Sequence, residues 1–260
     1  MKPLALITGA SDGIGFELAH LHAARGGNLI VVARNTAKLE ALKHSLEKQY
    51  GVSVYVITQD LSLPNAATLL YNTVSSQGYK VDMLINNAGF GDFGSFSETS
   101  ADKEEKMIQL NITTLTQLCK LFINDMKLRG AGRIMNVAST GAFQPAPFMA
   151  VYCATKAYVL SFTEAVNNEL KGTGISMTAL CPGPTTTGFE QAAAMGESKL
   201  FKGPQVASAQ SVAQYGYKAM MNRKTVAVHG WMNRLMVFSV RLVPRAMVVN
   251  IARMILKKGS

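Results

Sequence analysis

Tyr152 and Lys156 stand four residues apart in the segment VYCATK, residues 151–156. Residues four apart on a helix share one face, so a helix here would bring the phenol and the ammonium group together. A free tyrosine has a pKa near ~10 and is a poor acid or base at neutral pH, but a nearby cation lowers that pKa. The pair is a candidate for a general acid/base tyrosine activated by lysine, although taken alone a chance spacing of four is the simpler interpretation. The alternative is a surface tyrosine beside a surface lysine, and the rest of the chain has to decide between them.

A glycine-rich turn lies near the start of the chain. The residues TGASDGIG occupy 8–15, directly after the apolar run 4–8 and before a helical pattern. Glycines at this spacing allow a tight turn and close approach of the backbone to a phosphate, and the following helix offers free amides to a pyrophosphate. The turn therefore predicts a dinucleotide site. The residues assigned to it are Gly9, Ser11, Asp12, Gly13, Ile14 and Gly15.

The end of the second apolar run indicates which dinucleotide is bound. An NAD site usually has an Asp or Glu there to bind the ribose 2′-hydroxyl. This chain reads VVARNTAKLE, with Arg34 at that point and Asn35 and Lys38 after it. A carboxylate would repel a 2′-phosphate, whereas a guanidinium binds it with charge-assisted hydrogen bonds. We predict NADP(H) rather than NAD(H), held by Arg34, Asn35 and Lys38; a solvated Arg34 at a helix cap is the alternative.

Strand-like and helical patterns alternate along the whole chain. The apolar β-rich runs occupy 4–8, 28–34, 52–58, 82–87, 132–139 and 175–181, with a seventh at 225–230. Most are apolar at both alternating positions, as in parallel strands covered on both faces. The longest helical pattern runs from an N-cap at Ser100 to a glycine stop at Gly130. We predict one α/β domain, a doubly wound Rossmann-type sheet of about seven parallel strands with helices on both faces.

Composition argues against several other classes of protein. The chain has 260 residues, 48% hydrophobic and 16% charged, which favours a large core over disorder. Three widely spaced cysteines suggest no disulfide framework, and they and the four histidines form no ligand pattern, so we expect no metal and a cytoplasmic location. The net charge is +10, but the basic residues are not interleaved with aromatic ones, so we expect no nucleic acid partner.

Five motifs in order resemble the short-chain dehydrogenase/reductase family, of its common type of about 250 residues. They are TGASDGIG, NNAG at 86–89, a serine at 139, YCATK at 152–156 and PGPTTT at 182–187. The resemblance spans roughly Leu4 to Gly230. It predicts a dinucleotide-binding catalytic domain over 1–230, followed by an amphipathic helical extension of the same domain over 231–260.

The resemblance implies a catalytic set. Tyr152 matches the general acid/base, and Lys156 matches the lysine that lowers its pKa and binds the nicotinamide ribose. Ser139, at the end of the fifth strand, matches the residue that binds the substrate carbonyl. Asn111 matches the asparagine whose backbone holds a proton-relay water. Strand-end and surface-helix roles are the alternatives for Ser139 and Asn111.

The resemblance also assigns residues to the cofactor beyond the first turn. These are Asp60 and Leu61 beside the adenine, Asn87, Ala88 and Gly89 passing close to the cofactor, and Pro182, Gly183, Thr185 and Thr187 closing over the nicotinamide. Asp60 could instead be a helix cap. Cys153 suggests a redox switch, but an inert cysteine at a helix start is the simpler interpretation.

The implied activity is NADPH-dependent, reversible reduction of a ketone or aldehyde to an alcohol, with homodimer or homotetramer assembly by family analogy. The alternatives are a 3-oxoacyl reductase of lipid metabolism and a non-catalytic NADP-binding sensor, though sensors typically lack the tyrosine–lysine pair. An apolar substrate is expected from the candidate pocket residues. These are Phe90, Phe93, Phe143, Phe148 and Met149.

The tail from Trp231 onward is long for the family's catalytic core. Its apolar residues follow helical spacing on both sides of Pro244, and its arginines interrupt any membrane span. A basic amphipathic helix could lie on an anionic membrane as a peripheral contact, or close over a lipid-like substrate. Packing on its own domain or on a partner subunit is the plainer alternative.

Overall fold

Seven parallel strands form one sheet in the computed structural model, which describes residues 2–188 and 206–256. The strands are β1 Leu4–Thr8, β2 Asn28–Ala33, β3 Val54–Thr58, β4 Met83–Asn86, β5 Gly132–Val137, β6 Ile175–Cys181 and β9 Val226–Val228. Their order in the sheet is β3-β2-β1-β4-β5-β6-β9. Two short strands, β7 Thr185–Thr186 and β8 Ala207–Ser208, pair separately. The predicted doubly wound sheet is confirmed.

Helices cover both faces of this sheet. They are α1 Gly13–Ala23, α2 Thr36–Tyr50, α3 Ala66–Ser76, α4 Ala101–Ile108, α5 Leu115–Arg129, α6 Ala150–Glu169, α7 Ala209–Met221, α8 Trp231–Ser239 and α9 Arg245–Leu256. Because successive strand residues point to opposite faces, Leu6 packs into the core beneath α3, α5 and α6, while Ile7 packs into the core beneath α1, α2 and α7. Both cores are built by strands whose apolar side chains point alternately to the two faces.

The point where the two halves of the sheet meet places two functional segments side by side. β1 pairs with β2 on one side and β4 on the other, so the chain reverses its winding direction at β1. In such sheets a crevice opens outside the carboxyl ends of the strands at this switch point. The glycine turn after β1 and the segment after β4 therefore meet there.

The predicted long helix begins and ends where its signals indicate but is not regular. The Ser100 side chain accepts a hydrogen bond from the Lys103 amide, and Gly130 ends α5 in the left-handed conformation. Between α4 and α5, residues Gln109–Thr114 form a π-helical segment that contains Asn111. Such segments are rare and often occur at functional sites, and nothing in the periodicity of this pattern signalled one.

Strand ends differ from the sequence prediction by one or two residues. β3 begins at Val54, and β5 ends at Val137. Ser139 therefore does not end the fifth strand. It lies beyond the strand, where its hydroxyl accepts a hydrogen bond from the Gly141 amide at 3.0 Å and caps a 3-10 turn, Thr140–Phe143.

The last two helices pack with their inner faces toward the carboxyl edge of the sheet. Val237 of α8 joins the core beneath α3, α5 and α6, and Leu256 of α9 joins a smaller cluster with Met149 and Cys153. Within residues 2–188 and 206–256, no helix has both the length and the apolarity needed to span a bilayer.

Candidate active site

A cleft of about 1190 Å³ opens along the carboxyl edge of the sheet. It is lined by most of the residues that the sequence assigned to cofactor and catalysis. These are Gly9, Ser11, Asp12, Gly13, Ile14, Arg34, Asn35, Asp60, Leu61, Asn87, Ala88, Gly89, Ser139, Tyr152, Lys156, Pro182, Gly183, Thr185 and Thr187. Gly15, Lys38 and Asn111 do not line it, so the contribution of each has to be sought in what it contacts.

The glycine turn is fixed against the end of β4. Gly9 has φ +67°, and a Cβ there would lie 2.8 Å from Asn87 Nδ2 and 2.9 Å from the Ala88 Cα. The Asn87 side-chain amide donates to the carbonyls of Thr8 and Gly9, both at 3.0 Å. A Cβ on Gly15 would collide with the Gly9 carbonyl and the Asn87 side chain. Gly15 thus lets helix α1 approach the turn closely, which is a packing role rather than a lining one.

Asp12 and Asn35 cap the two helices that begin beside the cleft. The Asp12 carboxylate accepts from the Gly13 amide at 2.7 Å, and the Asn35 side chain accepts from the Lys38 amide at 3.0 Å. The Lys38 ammonium lies 3.4 Å from Asp12 Oδ2, with both side chains more than half exposed. A solvent-exposed pair of this kind contributes little energy and leaves the lysine able to exchange partners.

Arg34 and Asp60, which follow β2 and β3, both line the cleft, and the charge of Arg34 acts on Asp60. Burial tends to raise the pKa of Asp60, but hydrogen bonds from the Ser62 hydroxyl and amide, together with the charges of Arg34 and Lys106, outweigh it and lower the pKa. The Ser62 hydroxyl donates to Asp60 at 2.7 Å and the amide at 2.9 Å. Asp60 is therefore an ionised, hydrogen-bonded turn residue near the Arg34 guanidinium.

Tyr152 and Lys156 share one face of α6, as their spacing predicted. Lys156 Nζ donates to the Val137 carbonyl at 2.8 Å and lies 5.8 Å from the centroid of the Tyr152 ring. The Ser139 hydroxyl is within hydrogen-bonding reach of the Tyr152 phenol. The end of β5 thus holds the lysine, and the turn after it brings the serine to the tyrosine.

Burial controls the ionisation of this pair. It raises the pKa of Tyr152 above its ordinary value of 10.0, while the Ser139 hydrogen bond acts in the opposite direction. Burial also lowers the pKa of Lys156 to about 8, an effect that the nearby Cys181 partly offsets. Burial therefore sets the direction of the Tyr152 pKa in this structure, and the lowering of that pKa by Lys156 stays a prediction. The phenol keeps its proton at neutral pH, the form required to donate to a developing alkoxide.

Asn111 is buried in the π-helical segment and contacts two elements beside the cleft, the segment after β4 and helix α6. Its side-chain amide donates to the Phe90 carbonyl and to the Thr155 hydroxyl, both at 3.0 Å. Its side-chain oxygen, Oδ1, lies close to Gly89, where an added Cβ would be only 2.9 Å from it. Asn111 therefore ties the segment after β4 to helix α6. The role of its backbone in holding a water stays a prediction.

The apolar end of the cleft differs from the predicted one. Phe90 and Met149 line it, but Phe143 packs toward the main core, and Phe93 and Phe148 pack on each other with ring centroids 5.9 Å apart. The C-terminal helices also line this end of the cleft. The lining residues from α8 and α9 are Asn233, Met236, Ala252, Ile255 and Leu256. Sequence reasoning found no specific residue among these, since no motif precedes them and only contacts distant in sequence bring them here.

Cys153 is a buried neighbour of the tyrosine. Burial raises its pKa to about 12. A thiol that stays protonated reacts poorly with oxidants and electrophiles, so its surroundings favour the inert interpretation over a redox switch.

Two histidines, His22 and His229, lie within hydrogen-bonding distance of other parts of the fold. His22 is buried, with Nδ1 3.0 Å from the Tyr217 hydroxyl and Nε2 3.1 Å from the Pro3 carbonyl. His229 Nε2 lies 3.0 Å from the Ser211 hydroxyl. In residues 2–188 and 206–256, no three His, Cys, Asp or Glu side chains gather in a group that could hold a metal ion.

Comparison with known proteins identifies the family. The sequence model of the short chain dehydrogenase family matches residues 3–198. The chain therefore belongs to the short-chain dehydrogenase/reductase family and is an oxidoreductase that acts on carbonyl and alcohol groups with a nicotinamide cofactor.

Individual relatives differ in their substrates. A 7β-hydroxysteroid dehydrogenase of Collinsella aerofaciens is 31% identical over 70% of this chain and 68% of its own length. A very-long-chain 3-oxoacyl-CoA reductase of Pyrenophora tritici-repentis is 35% identical over 66% of this chain, which spans about half, 51%, of that relative. A solved short-chain dehydrogenase from Sphingobium yanoikuyae in complex with NADPH superposes with a TM-score of 0.82 at 31% identity, covering 92% of this chain and 94% of that one.

Proposed function

We propose that this protein is an NADPH-dependent reductase that converts an apolar ketone or aldehyde to an alcohol, reversibly. The observation that carries the proposal is the meeting of Ser139, Tyr152 and Lys156 in one cleft that extends to Arg34. A protonated phenol and a hydroxyl on one side of the cleft can bind a carbonyl oxygen. A guanidinium at the other end can bind a phosphate.

The residues of the cleft fit NADP(H). The turn at Gly9 and Gly13 has positive φ angles and no room for a Cβ, as expected where the backbone approaches a pyrophosphate. Arg34 lines the cleft at the end of β2, where an NAD site would carry an acid. The Sphingobium relative was solved with NADPH, which supports the same choice here.

The remaining cofactor assignments follow the cleft from end to end. We assign the adenine region to Asp60 and Leu61, and we keep Lys38, beyond the cleft lining, as an exposed cation that can leave Asp12 for a phosphate. The nicotinamide region comprises residues from three segments. These are Asn87, Ala88 and Gly89 after β4, Lys156 on α6, and Pro182, Gly183, Thr185 and Thr187 after β6.

When bound, the nicotinamide supplies or accepts the hydride. The chain's own groups manage the oxygen and the proton. Ser139 and Tyr152 donate hydrogen bonds to the carbonyl oxygen, where negative charge develops, and Tyr152 then transfers its proton to that oxygen. Lys156, in its charged form, stabilises the phenolate that remains. Asn111 positions α6 and the segment after β4 and, by its place in the π-helical segment, is the candidate for starting the proton relay that restores Tyr152.

An apolar substrate is supported by the lining of the cleft beyond Tyr152. Met149, Met236, Ile255 and Leu256 line that end, and burial there favours hydrocarbon surface. The steroid-oxidising relative acts on a molecule of this character. A 3-oxoacyl reductase is the second candidate, favoured by the 35% identity to the fungal 3-oxoacyl-CoA reductase.

The test is a substrate panel measured by the loss of NADPH absorbance. Aliphatic ketones, steroids, quinones and acyl thioesters would be compared, each with NADPH and with NADH. Turnover of ketones or steroids supports the leading proposal, and turnover confined to 3-oxoacyl thioesters supports the second. Tight NADPH binding without turnover of any substrate would contradict both and favour a nucleotide-binding sensor.

We also propose that the protein forms a homodimer or homotetramer through α5 and α6. Tyr158 of α6 stacks on Phe162 with centroids 5.8 Å apart and is partly exposed, and Leu128 of α5 is 89% exposed. Apolar side chains displayed on long helices suit a helix–helix interface. Light scattering of the purified chain would measure its mass, and a monomer at micromolar concentration would contradict this assembly.

A further inference from the structure

The charge of this chain is divided unevenly along its length. All 16 acidic residues lie before residue 198, so every charged side chain after that point is basic. The two C-terminal helices and their connection, residues 231–256, carry four arginines and no Asp or Glu. These arginines are Arg234, Arg241, Arg245 and Arg253, all exposed.

The outer faces of the same helices are apolar. On α8 and just after it, Trp231, Leu235, Phe238 and Leu242 recur at helical spacing and are 71%, 59%, 58% and 72% exposed. On α9, Met247, Ile251 and Met254 recur in the same way and are 54%, 43% and 71% exposed. More than half of the exposed large hydrophobic side chains in the described residues lie in this one tenth of the chain.

The inner faces are already occupied. Val237 of α8 and Val248, Ala252 and Leu256 of α9 are buried. Each helix therefore has a stable inner contact with its own domain, and the apolar outer face is additional surface. Exposed apolar patches of this kind mark interaction sites on proteins.

We propose that the outer faces of α8 and α9 dock onto the surface of an anionic phospholipid bilayer. Apolar side chains flanked by arginines, with no acidic residue between them, are the pattern of a helix that lies in a membrane interface. Both helices are too short to span a bilayer. A two-fold contact with a second copy would place arginines of one chain against arginines of the other, which makes that occupant less suitable.

The docking face adjoins the mouth of the cleft. Ile255 is 56% exposed and yet lines the cleft, and Met236 and Leu256 line it from the same two helices. A bilayer at this face would put the cleft entrance at the lipid surface. The substrate would then be a ketone dissolved in lipid, a conclusion that rests on the proposed function.

Trp231 makes the docking measurable without any activity assay. It is the only tryptophan of the chain and is 71% exposed on the outer face of α8. The full chain would be titrated with vesicles of phosphatidylcholine alone or mixed with phosphatidylserine. We expect a blue shift of the emission with the mixed vesicles, a much weaker response with phosphatidylcholine alone, and partial reversal by high salt.

Matched variants locate the contact. Leu235→Ser/Leu242→Ser and, separately, Arg241→Glu/Arg245→Glu should each weaken vesicle binding by about tenfold or more. Leu69→Ser, at a 59% exposed position on α3, should leave it unchanged. Flotation of the vesicles would confirm the fluorescence result for every variant.

Three results would overturn the proposal. One is an unchanged Trp231 spectrum with every vesicle. Another is an equal loss of binding in Leu69→Ser. The third combines two observations: the parent chain does not bind vesicles, and light scattering without lipid gives a lower mass for Leu235→Ser/Leu242→Ser than for the parent. That result would assign the face to a second copy. A reductase that fails the substrate panel could still pass this test, so the two proposals fail separately.

Discussion

The two sides of the cleft are built in different ways. The side that carries Ser139, Tyr152 and Lys156 rests on buried polar contacts. Asn86 donates to Asn136 at 2.9 Å, and Asn136 donates to Thr163 of α6 at 2.9 Å. The other side consists of two short helices whose outer faces are exposed.

This difference separates chemistry from recognition. A proton donor must be held within a few tenths of an ångström of its acceptor, and buried hydrogen-bonded groups on a sheet provide that rigidity. Recognition of the substrate's shape does not require the same rigidity. Helices with few contacts to the remainder of the fold can provide it, because they can change position or sequence with little loss of stability. Changes on the first side should therefore affect rate, and changes on the second should affect which substrate binds and where.

The largest expected effect is from Tyr152→Phe. Removal of the phenolic hydroxyl should lower kcat by ~10²–10⁴-fold with NADPH affinity unchanged, because the ring remains while general acid catalysis is lost. Tyr158→Phe is the matched control on the same helix, since its hydroxyl contacts only Thr116 among the hydrogen bonds described for it. Steady-state kinetics and NADPH fluorescence titration measure the two quantities. Equal kcat values in the two variants would remove Tyr152 from the catalytic set.

Arg34→Ala should have the next largest effect. Loss of charge-assisted hydrogen bonds to a 2′-phosphate is expected to raise KM for NADPH by ~10–100-fold while that for NADH changes little. The control is Arg25→Ala, which removes an arginine whose Nη1 donates to the Leu21 carbonyl away from the cleft. A parallel rise of KM for both cofactors would show that Arg34 does not select between them.

The pH profile of carbonyl reduction should reflect Lys156. Its pKa is about 8 in the free protein, so the charged form dominates below that value and is lost above it. We expect kcat/KM for NADPH to fall by up to about tenfold per pH unit above pH ~8. Lys171→Met, at an exposed position after the same helix, should leave the profile unchanged. A profile that is flat to pH ~10 would show that Lys156 is not the group that titrates.

The smallest expected effect is from the helical side. Leu256→Ala removes buried apolar surface from the cleft and should raise KM for a bulky ketone by a few-fold, up to about 1 kcal/mol of binding, with KM for NADPH unchanged. Met254→Ala, at a 71% exposed position of the same helix, is the control. A large fall in kcat for Leu256→Ala would contradict the division of labour between the two sides.

Local signals in the sequence predicted much of this molecule. Strand and helix alternation gave the sheet, Ser100 and Gly130 bounded the long helical pattern, and the spacing of Tyr152 and Lys156 placed them on one helical face. These predictions held because each depends on groups a few residues apart. The π-helical segment at Asn111 and the position of Ser139 beyond β5 were missed, since both depend on contacts with Phe90, Thr155 and Tyr152 from distant elements.

By itself the sequence determined the fold class and the family and named the side chains proposed to react, because these follow from periodicity and from motifs along the chain. The tertiary structure alone decided that Gly15 and Asn111 act by packing beside the cleft, that Phe93, Phe143 and Phe148 turn away from it, and that α8 and α9 close its apolar end. It also decided the direction of the pKa shifts, up for Tyr152 and down for Lys156. Burial is the physical reason, since the solvent that a group loses depends on every element that packs around it and not on its neighbours in sequence.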